Sequence, residues 1–166
     1  MIVTSKDTAV LWLPEAENTH FSGQKLARTL YGTSTTIYLH GDVGAGKTTF
    51  LQGLAKGLGI TDYVTSPNFA LEQRYETAKG LPFTHIDLYR LVPQQALALV
   101  ESSTEHVIRC IEWAERLPEQ WQPDEPVIRI TLSEPSPDER LAEMRFEDVL
   151  VPLRTDVEKW RNEVAL

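Results

Sequence analysis

Eight consecutive residues, Gly41–Thr48, carry the clearest chemical signal in the chain. Their order fits the pattern G-x-x-x-x-G-K-[ST] at every required position. Glycines in such a loop let the main chain curl, so that successive N–H groups point at phosphate oxygens. The lysine can reach the β- and γ-phosphates, and the final hydroxyl can bind Mg²⁺. The pattern predicts a nucleoside triphosphate site formed by Gly41, Asp42, Val43, Gly44, Ala45, Gly46, Lys47 and Thr48.

The segments on either side of this loop favour the same interpretation. Thr36–His40 before the loop is typical of a buried strand, and Lys47–Ala55 after it is typical of the start of a helix. The alternative is a glycine-rich turn that binds nothing. The strand-to-helix context makes that alternative the weaker one.

The rest of the chain alternates between predicted strands and helices. A strand at Val10–Leu13 precedes a helix that Asn18 or Thr19 could cap and that runs to about Tyr31. Further strands are predicted at 69–75, 83–88, 106–111, 127–132 and 141–149, and further helices at 93–100 and 151–166. An exposed turn is expected from Ser133 to Glu139. We predict an α/β fold: a single P-loop NTPase-like domain over residues 1–166, with a central sheet flanked by helices and a C-terminal β-hairpin.

Composition limits the partners and the setting of this domain. The formal net charge of −8 disfavours general nucleic-acid binding, so any contact with RNA should be local or pass through a partner. Cys110 is the only cysteine, which excludes an internal disulfide and suits a reducing cytosol. The sequence shows neither a signal peptide nor an apolar run as long as a membrane span. We therefore expect a cytoplasmic protein with no membrane contact.

Two carboxylates follow apolar strands and could complete a phosphate site. Asp87 ends the segment Thr84-His-Ile-Asp87, and Glu112 ends Arg109-Cys-Ile-Glu112. Ligands bind at the carboxyl ends of strands in an open α/β sheet, so both side chains could face the loop. The alternative for each is a structural role, either capping a helix or pairing with Arg90 or Arg116.

Three other features have a structural interpretation that is favoured on the residues alone. Trp113 is expected to be a core residue beside the site, and His85 an ordinary half-buried strand residue. The segment Ser66–Asn68 is expected to be a plain turn, although this region can close over the γ-phosphate in P-loop NTPases.

Taken together, four segments resemble the bacterial TsaE family. They are Gly41–Thr49, Val64–Phe69, His85–Leu91 with its D-L-Y-R sequence, and Ile111–Trp113. The resemblance runs from about Leu13 to Trp113, with a looser fit through the C-terminal hairpin. The family is the P-loop ATPase subunit of the machinery that makes threonylcarbamoyladenosine on tRNA. One departure is Asn68, where the family usually has threonine.

The resemblance implies roles for individual residues. Lys47 would contact the phosphates, and Thr48 and Glu112 would hold Mg²⁺. Asp87 would lie near the γ-phosphate and its water, and Trp113 would support the site beside Glu112. The remaining implied nucleotide contacts are Thr19 near the base, Thr49 on the α-phosphate side, and Arg140 as a late basic residue.

The leading hypothesis is an Mg²⁺-dependent, slowly hydrolysing ATPase that serves as an accessory subunit of the tRNA-modifying complex, with Asp87, Glu112 and Lys47 as its catalytic residues. The resemblance implies TsaD and TsaB as partners, with tRNA held mainly by them. A small-molecule kinase is the second hypothesis, and a nucleotide-gated binding module without significant turnover is the third. The chain has no N-K-x-D motif, so a GTPase is disfavoured.

Overall fold

A seven-stranded mixed sheet runs through the part of the chain that the structure describes. The structure is a computed structural model, and it describes residues 7–30, 32–62, 64, 72–78, 81–102, 106–147 and 150–164, of which 161–164 are described as backbone only. The strands are β1 Thr8–Trp12, β2 Thr35–His40, β3 Glu72–Tyr75, β4 Phe83–Asp87, β5 Ile108–Glu112, β6 Val127–Ser136 and β7 Glu139–Phe146. The helices are α1 Ala16–Thr29, α2 Lys47–Gly57, α3 Pro93–Glu101 and α4 Val151–Val164, with a short 3-10 helix at Ala114–Arg116.

The order of the strands brings the phosphate-loop strand to the middle of the sheet. The order is β1-β7-β6-β2-β5-β4-β3. Strand β2 runs parallel to β5 and β6, and β4 runs parallel to β5. Strands β3, β7 and β1 pair antiparallel with their neighbours. The carboxyl ends of the four parallel strands therefore meet at one edge, where α/β sheets bind ligands.

Side-chain alternation divides the core into two layers. On one face, Ile37 and Leu39 of β2 pack in a cluster with residues of α1, α2 and α4. On the other face, Tyr38 and Ile111 pack with residues of α3. Because parallel partners in register point to the same face, the odd-numbered positions of β2 and β4 and the even-numbered positions of β5 face α2.

The predicted α/β fold with a central sheet, flanking helices and a C-terminal hairpin is confirmed. Several boundaries differ from those predicted, and two of the differences have a clear local cause. Helix α1 begins at Ala16 with Glu15 as its N-cap, because Asn18 caps backward: its Oδ1 accepts a hydrogen bond from the Glu15 N–H at 2.9 Å. The turn expected at 133–139 is only Pro137–Asp138, since Ser136 still pairs with Glu139. Among the described helices, none combines the length and apolar character needed to cross a membrane.

Helices α1 and α2 approach closely enough to exclude a side chain at Gly53. A Cβ atom built at Gly53 would overlap the main-chain carbonyl of His20 on α1. Gly23 of α1 is equally constrained, because its Cβ would overlap the carbonyl of Phe50 on α2. This contact fixes α2, and with it the end of the phosphate loop, against the rest of the fold.

We expect Gly53→Ala to lower the free energy of unfolding by about 1–3 kcal/mol, because the added methyl group must push two helix backbones apart. Alanine has the higher helix propensity, so a loss would show that packing dominates. Urea unfolding followed by circular dichroism measures the effect, with Lys56→Ala at an exposed position of the same helix as the control. Equal stability of Gly53→Ala and wild type would contradict the packing argument.

Candidate functional site

The predicted phosphate loop joins β2 to α2 in the conformation that its glycines allow. Gly44 and Gly46 have φ angles of 85° and 105°, a region that side chains strongly disfavour. Gly46 is the N-cap of α2, and its carbonyl accepts the Phe50 N–H at 2.9 Å. The N–H groups of the first turn of a helix have no partner within the helix. The loop and the start of α2 thus form a main-chain site suited to an anion.

A cleft of about 380 Å³ collects most of the residues that the sequence singled out. Its walls combine the loop and the start of α2 with three residues from the ends of β4 and β5. The lining residues are Asp42, Val43, Gly44, Gly46, Lys47, Thr48, Thr49, Asp87, Glu112 and Trp113. Residues of the loop and of two distant strand ends are therefore brought together at the carboxyl ends of the parallel strands, where the sequence placed Asp87 and Glu112.

Lys47 and Glu112 face each other across this cleft. The Lys47 Nζ atom lies 3.7 Å from Glu112 Oε1, and 5.5 Å from the centre of the Trp113 ring. Glu112 is only 4% exposed. A carboxylate so poorly hydrated needs a nearby cation and hydrogen-bond donors. The pair therefore places opposite charges in the cleft beside the loop.

His85 was expected to be an ordinary half-buried residue, and that expectation was wrong. Its side chain is completely buried, and its Nε2 atom lies 2.7 Å from Glu112 Oε2. The register of the strands explains this burial. His85 pairs with Cys110, which precedes Glu112 by two residues, and its side chain lies on the face of the sheet that α2 covers. The alternation of residues along β4 can show which face of the sheet His85 lies on. Only the order of the strands shows that Glu112 lies next to His85.

Asp87 lies where the structural and the functional interpretation of its position can both hold. Its Oδ1 atom accepts the Tyr89 N–H at 2.9 Å, which caps the turn after β4. Its side chain also lines the cleft, and Asp87 pairs in register with Glu112. The structural and the functional interpretation are therefore compatible at this position.

Trp113 has a left-handed backbone, with φ 61° and ψ 41°, and it is the one non-glycine residue with positive φ in the described part of the chain. Its ring lies 4.8 Å from that of Tyr89, centre to centre. The residue is half-buried at the lip of the cleft and not fully in the core. The turn lets Arg116 donate its N–H to the Trp113 carbonyl at 3.0 Å and starts the 3-10 helix.

Two of the implied nucleotide contacts lie outside the cleft lining. Thr19 is buried on α1, and its Cγ2 atom would lie 3.3 Å from a Cβ at Gly46, so it supports the end of the loop. Arg140 lies at the start of β7, where its carbonyl accepts the Leu13 N–H at 2.8 Å. The nucleotide contacts of these two residues, like those of the residues that line the cleft, stay predictions. The segment Ser66–Asn68 lies outside the described residues.

A larger cavity of about 760 Å³ adjoins the cleft and was not found from the sequence. It lies between the phosphate loop and the β6–β7 hairpin, and it shares Asp42, Val43, Lys47 and Trp113 with the cleft. His40 Nδ1 lies 3.7 Å from Glu115 Oε2 at its edge. Burial lowers the pKa of His40, because desolvation disfavours the charged imidazolium. The signal that would have revealed this cavity is the pairing of β6 with β2, which no local pattern encodes.

Cys110 also faces α2, two residues before Glu112, but it is chemically inert. The side chain is fully buried, and burial, reinforced by the Glu112 charge, raises its pKa well above the ordinary value. The thiolate is the reactive form of cysteine, so this residue cannot serve as a nucleophile near neutral pH.

The described residues contain no group of three or more His, Cys, Asp or Glu side chains arranged to hold a metal. Mg²⁺ in phosphate sites needs less, since one or two protein oxygens suffice and phosphate and water supply the rest. Thr48 and Glu112 line the same cleft and offer a hydroxyl and a carboxylate. This donor set fits a magnesium–phosphate complex.

Comparison with known proteins assigns the chain to a family. The family model described as threonylcarbamoyl adenosine biosynthesis protein TsaE matches residues 13–142, well over half of the chain. The chain belongs to the TsaE family. Its members act in the biosynthesis of threonylcarbamoyladenosine in tRNA, as the name of the family states.

Relatives in two bacteria show the extent of the similarity. The TsaE protein of Nostoc sp. strain PCC 7120 is 46% identical over 114 residues, which cover 65% of this chain and 69% of that protein. The TsaE protein of Bacillus subtilis strain 168 is 36% identical over 117 residues, which cover 70% of this chain and 72% of that protein. Both support the assignment to the TsaE family.

A solved structure shows that the fold is shared as well. The crystal structure of YdiB from Bacillus subtilis superposes with a TM-score of 0.71 at 25% identity. The match covers 96% of this chain and 97% of YdiB. The α/β architecture therefore extends over the C-terminal hairpin and α4, beyond the motifs that carry the resemblance in sequence.

The left-handed backbone at Trp113 predicts an unusual order of stabilities. Trp113→Ala and Trp113→Gly both remove the ring, so they differ only in a Cβ atom at positive φ. We expect the glycine variant to be the more stable of the two by about 1 kcal/mol, because a left-handed conformation costs a side-chain-bearing residue that much. Urea unfolding measures the difference. The reverse order, which is usual at ordinary positions, would contradict the left-handed conformation.

Proposed function

We propose that this chain binds ATP and Mg²⁺ in the cleft between the phosphate loop and the ends of β4 and β5. We further propose that it hydrolyses ATP slowly as an accessory subunit of the complex that makes N6-threonylcarbamoyladenosine at position 37 of tRNA. The observation that carries the proposal is the Lys47–Glu112 pair, 3.7 Å apart beside the main-chain loop.

Each side chain of the cleft has a role in this proposal. Lys47 would neutralise β- and γ-phosphate oxygens, and the loop N–H groups would donate hydrogen bonds to them. Thr48 and Glu112 would hold Mg²⁺, which when bound neutralises charge on the same oxygens. Asp87, at the end of β4, would accept a hydrogen bond from the attacking water and orient it.

The proposal of slow turnover by the isolated chain rests on exposure of the cleft. Val43, an apolar residue at the tip of the loop, is 97% exposed, and Thr48 is also exposed. Phosphoryl transfer is catalysed by positioning and by charges that act strongly where water is excluded. A partner that covers Val43 and the cleft would supply that exclusion. On the family resemblance we propose TsaD and TsaB as the partners.

Contact with tRNA is proposed to be mainly indirect. The chain has 24 acidic and 16 basic residues, a net charge of −8 with neutral histidines. A surface of that charge repels phosphates over distances of about 10 Å at moderate salt. The partners would therefore hold the tRNA while this chain supplies the nucleotide-dependent step.

We expect Lys47→Ala to weaken the binding of Mg·ATP by about 10–100-fold, since it removes a charge-assisted contact with phosphate oxygens. Isothermal titration calorimetry on the purified chain and on its complex with TsaD and TsaB measures this loss. Lys56→Ala, which removes the same charge from the exposed side of α2, is the matched control and should bind normally. Equal affinities of the two variants would remove Lys47 from the site.

Glu112→Gln should raise the Mg²⁺ concentration needed for ATP binding by more than about ten-fold, because an amide replaces a charged ligand. Asp87→Asn is the matched change in the same cleft, and it should impair hydrolysis while leaving the Mg²⁺ dependence near that of wild type. A magnesium titration of ATP binding and a phosphate-release assay separate the two effects. If Glu112→Gln keeps the wild-type titration, Glu112 is a structural carboxylate.

The reaction class needs its own assay because a small-molecule kinase would share the loop. With radiolabelled ATP and the partner complex, the γ-phosphate should appear as inorganic phosphate. Label on a small acceptor at a higher rate than phosphate release would replace the ATPase proposal with the kinase hypothesis.

A further inference from the structure

His85 makes the shortest polar contact that Glu112 has in the described structure. The Nε2–Oε2 distance of 2.7 Å is that of a charge-assisted hydrogen bond. The other oxygen, Oε1, lies 3.7 Å from Lys47 Nζ, which is too long for a hydrogen bond. The imidazole therefore fixes the orientation of the carboxylate, and the lysine does not.

The hydrogen on His85 must be on Nε2 for this contact. The Nδ1 atom is buried and has no hydrogen-bond partner among the described residues. A hydrogen on Nδ1 would be a buried donor without an acceptor, which is costly, whereas a bare ring nitrogen loses less. A hydrogen on Nε2 satisfies Glu112 Oε2 and leaves no buried donor on the ring without an acceptor.

We propose that His85 is a positioning residue for the cation of this site. By donating its Nε2–H to Oε2, the imidazole holds the Glu112 carboxylate so that Oε1 faces Lys47 and the cleft, where it can bind Mg²⁺. This inference rests on the proposed function. Residues that hydrogen-bond to a metal-binding carboxylate in this way tune metal affinity, and their loss typically costs 10–100-fold.

The backbone reinforces this arrangement. His85 pairs with Cys110, and Asp87 pairs with Glu112. The side chains of His85 and Glu112 therefore lie on the same face of the sheet, the one that α2 covers. The Leu88 N–H donates to the Glu112 carbonyl at 3.1 Å and extends the β4–β5 pairing past Glu112. Only the side-chain torsions of Glu112 remain free, and the His85 bond limits those.

The test compares the binding of a non-hydrolysable ATP analogue in EDTA and in Mg²⁺ for wild type and variants at position 85. His85→Leu removes the donor at similar volume, and we expect the gain in affinity that Mg²⁺ provides to fall about 10–100-fold. Affinity in EDTA should stay close to that of wild type, because Lys47 and the loop are intact. His85→Gln, whose amide nitrogen reaches the Nε2 position, should restore most of the Mg²⁺ effect.

Thr84→Val is the matched control for disturbance of β4. Thr84 is buried on the opposite face of the same strand, and its hydroxyl has no hydrogen-bond partner among the described residues. The variant should leave both affinities unchanged. A merely structural role of His85 would lower the affinity in EDTA as much as that in Mg²⁺, and this outcome would overturn the proposal.

The remaining outcomes are also decisive. If wild type gains no affinity from Mg²⁺, alone or in its complex, the proposed function itself fails. If wild type gains affinity and His85→Leu gains as much, only the role of His85 fails. If His85→Leu does not fold, His85→Asn, whose amide is too short to reach Oε2, replaces it. Equal Mg²⁺ effects in the Asn and Gln variants would then overturn the proposal.

Discussion

The site depends on one buried carboxylate, that of Glu112, held between a histidine and a lysine at the end of β5. A carboxylate with 4% exposure has lost nearly all of its hydration, and the His85 bond at 2.7 Å and the Lys47 cation at 3.7 Å offset that loss. Each partner comes from a different part of the chain, His85 from β4 and Lys47 from the start of α2. The charge of Glu112 therefore links the phosphate loop to the strands that face it.

Sheet order makes this link possible. Strand β5 lies between β2 and β4 in the sheet, although α2, β3, β4 and α3 separate β5 from β2 along the chain. Leu39 and Asp87 are the in-register neighbours of Glu112 on the two sides. Because all three strands are parallel, the loop after β2 and the turn after β4 emerge beside the same residue. The tight contact between α1 and α2 at Gly53 then keeps the helix that carries Lys47 in place.

The sequence was sufficient where function depends on short-range pattern, and insufficient where it depends on pairing between distant strands. The phosphate loop is local, so its conformation at Gly44 and Gly46 followed from the residues themselves. The start of α1 was predicted too late because Asn18 is typical of an N-cap residue. It instead lies in the first turn, where its side chain accepts a hydrogen bond from the N–H of the true N-cap, Glu15. The burial of His85 and the cavity beside the β6–β7 hairpin both follow from strand order. No local alternation of apolar and polar residues encodes that order.

The left-handed backbone of Trp113, the residue after Glu112, is part of the same site. A left-handed backbone costs a bulky residue about 1–2 kcal/mol, and such strain persists only where the surroundings over-determine it. Here the ring is packed on Tyr89 and lies within 5.5 Å of Lys47 Nζ, so two contacts hold the conformation. An extended backbone at this point would continue β5 and carry the ring away from both. The chain instead turns immediately after Glu112, which ends the strand at the residue that the cleft requires.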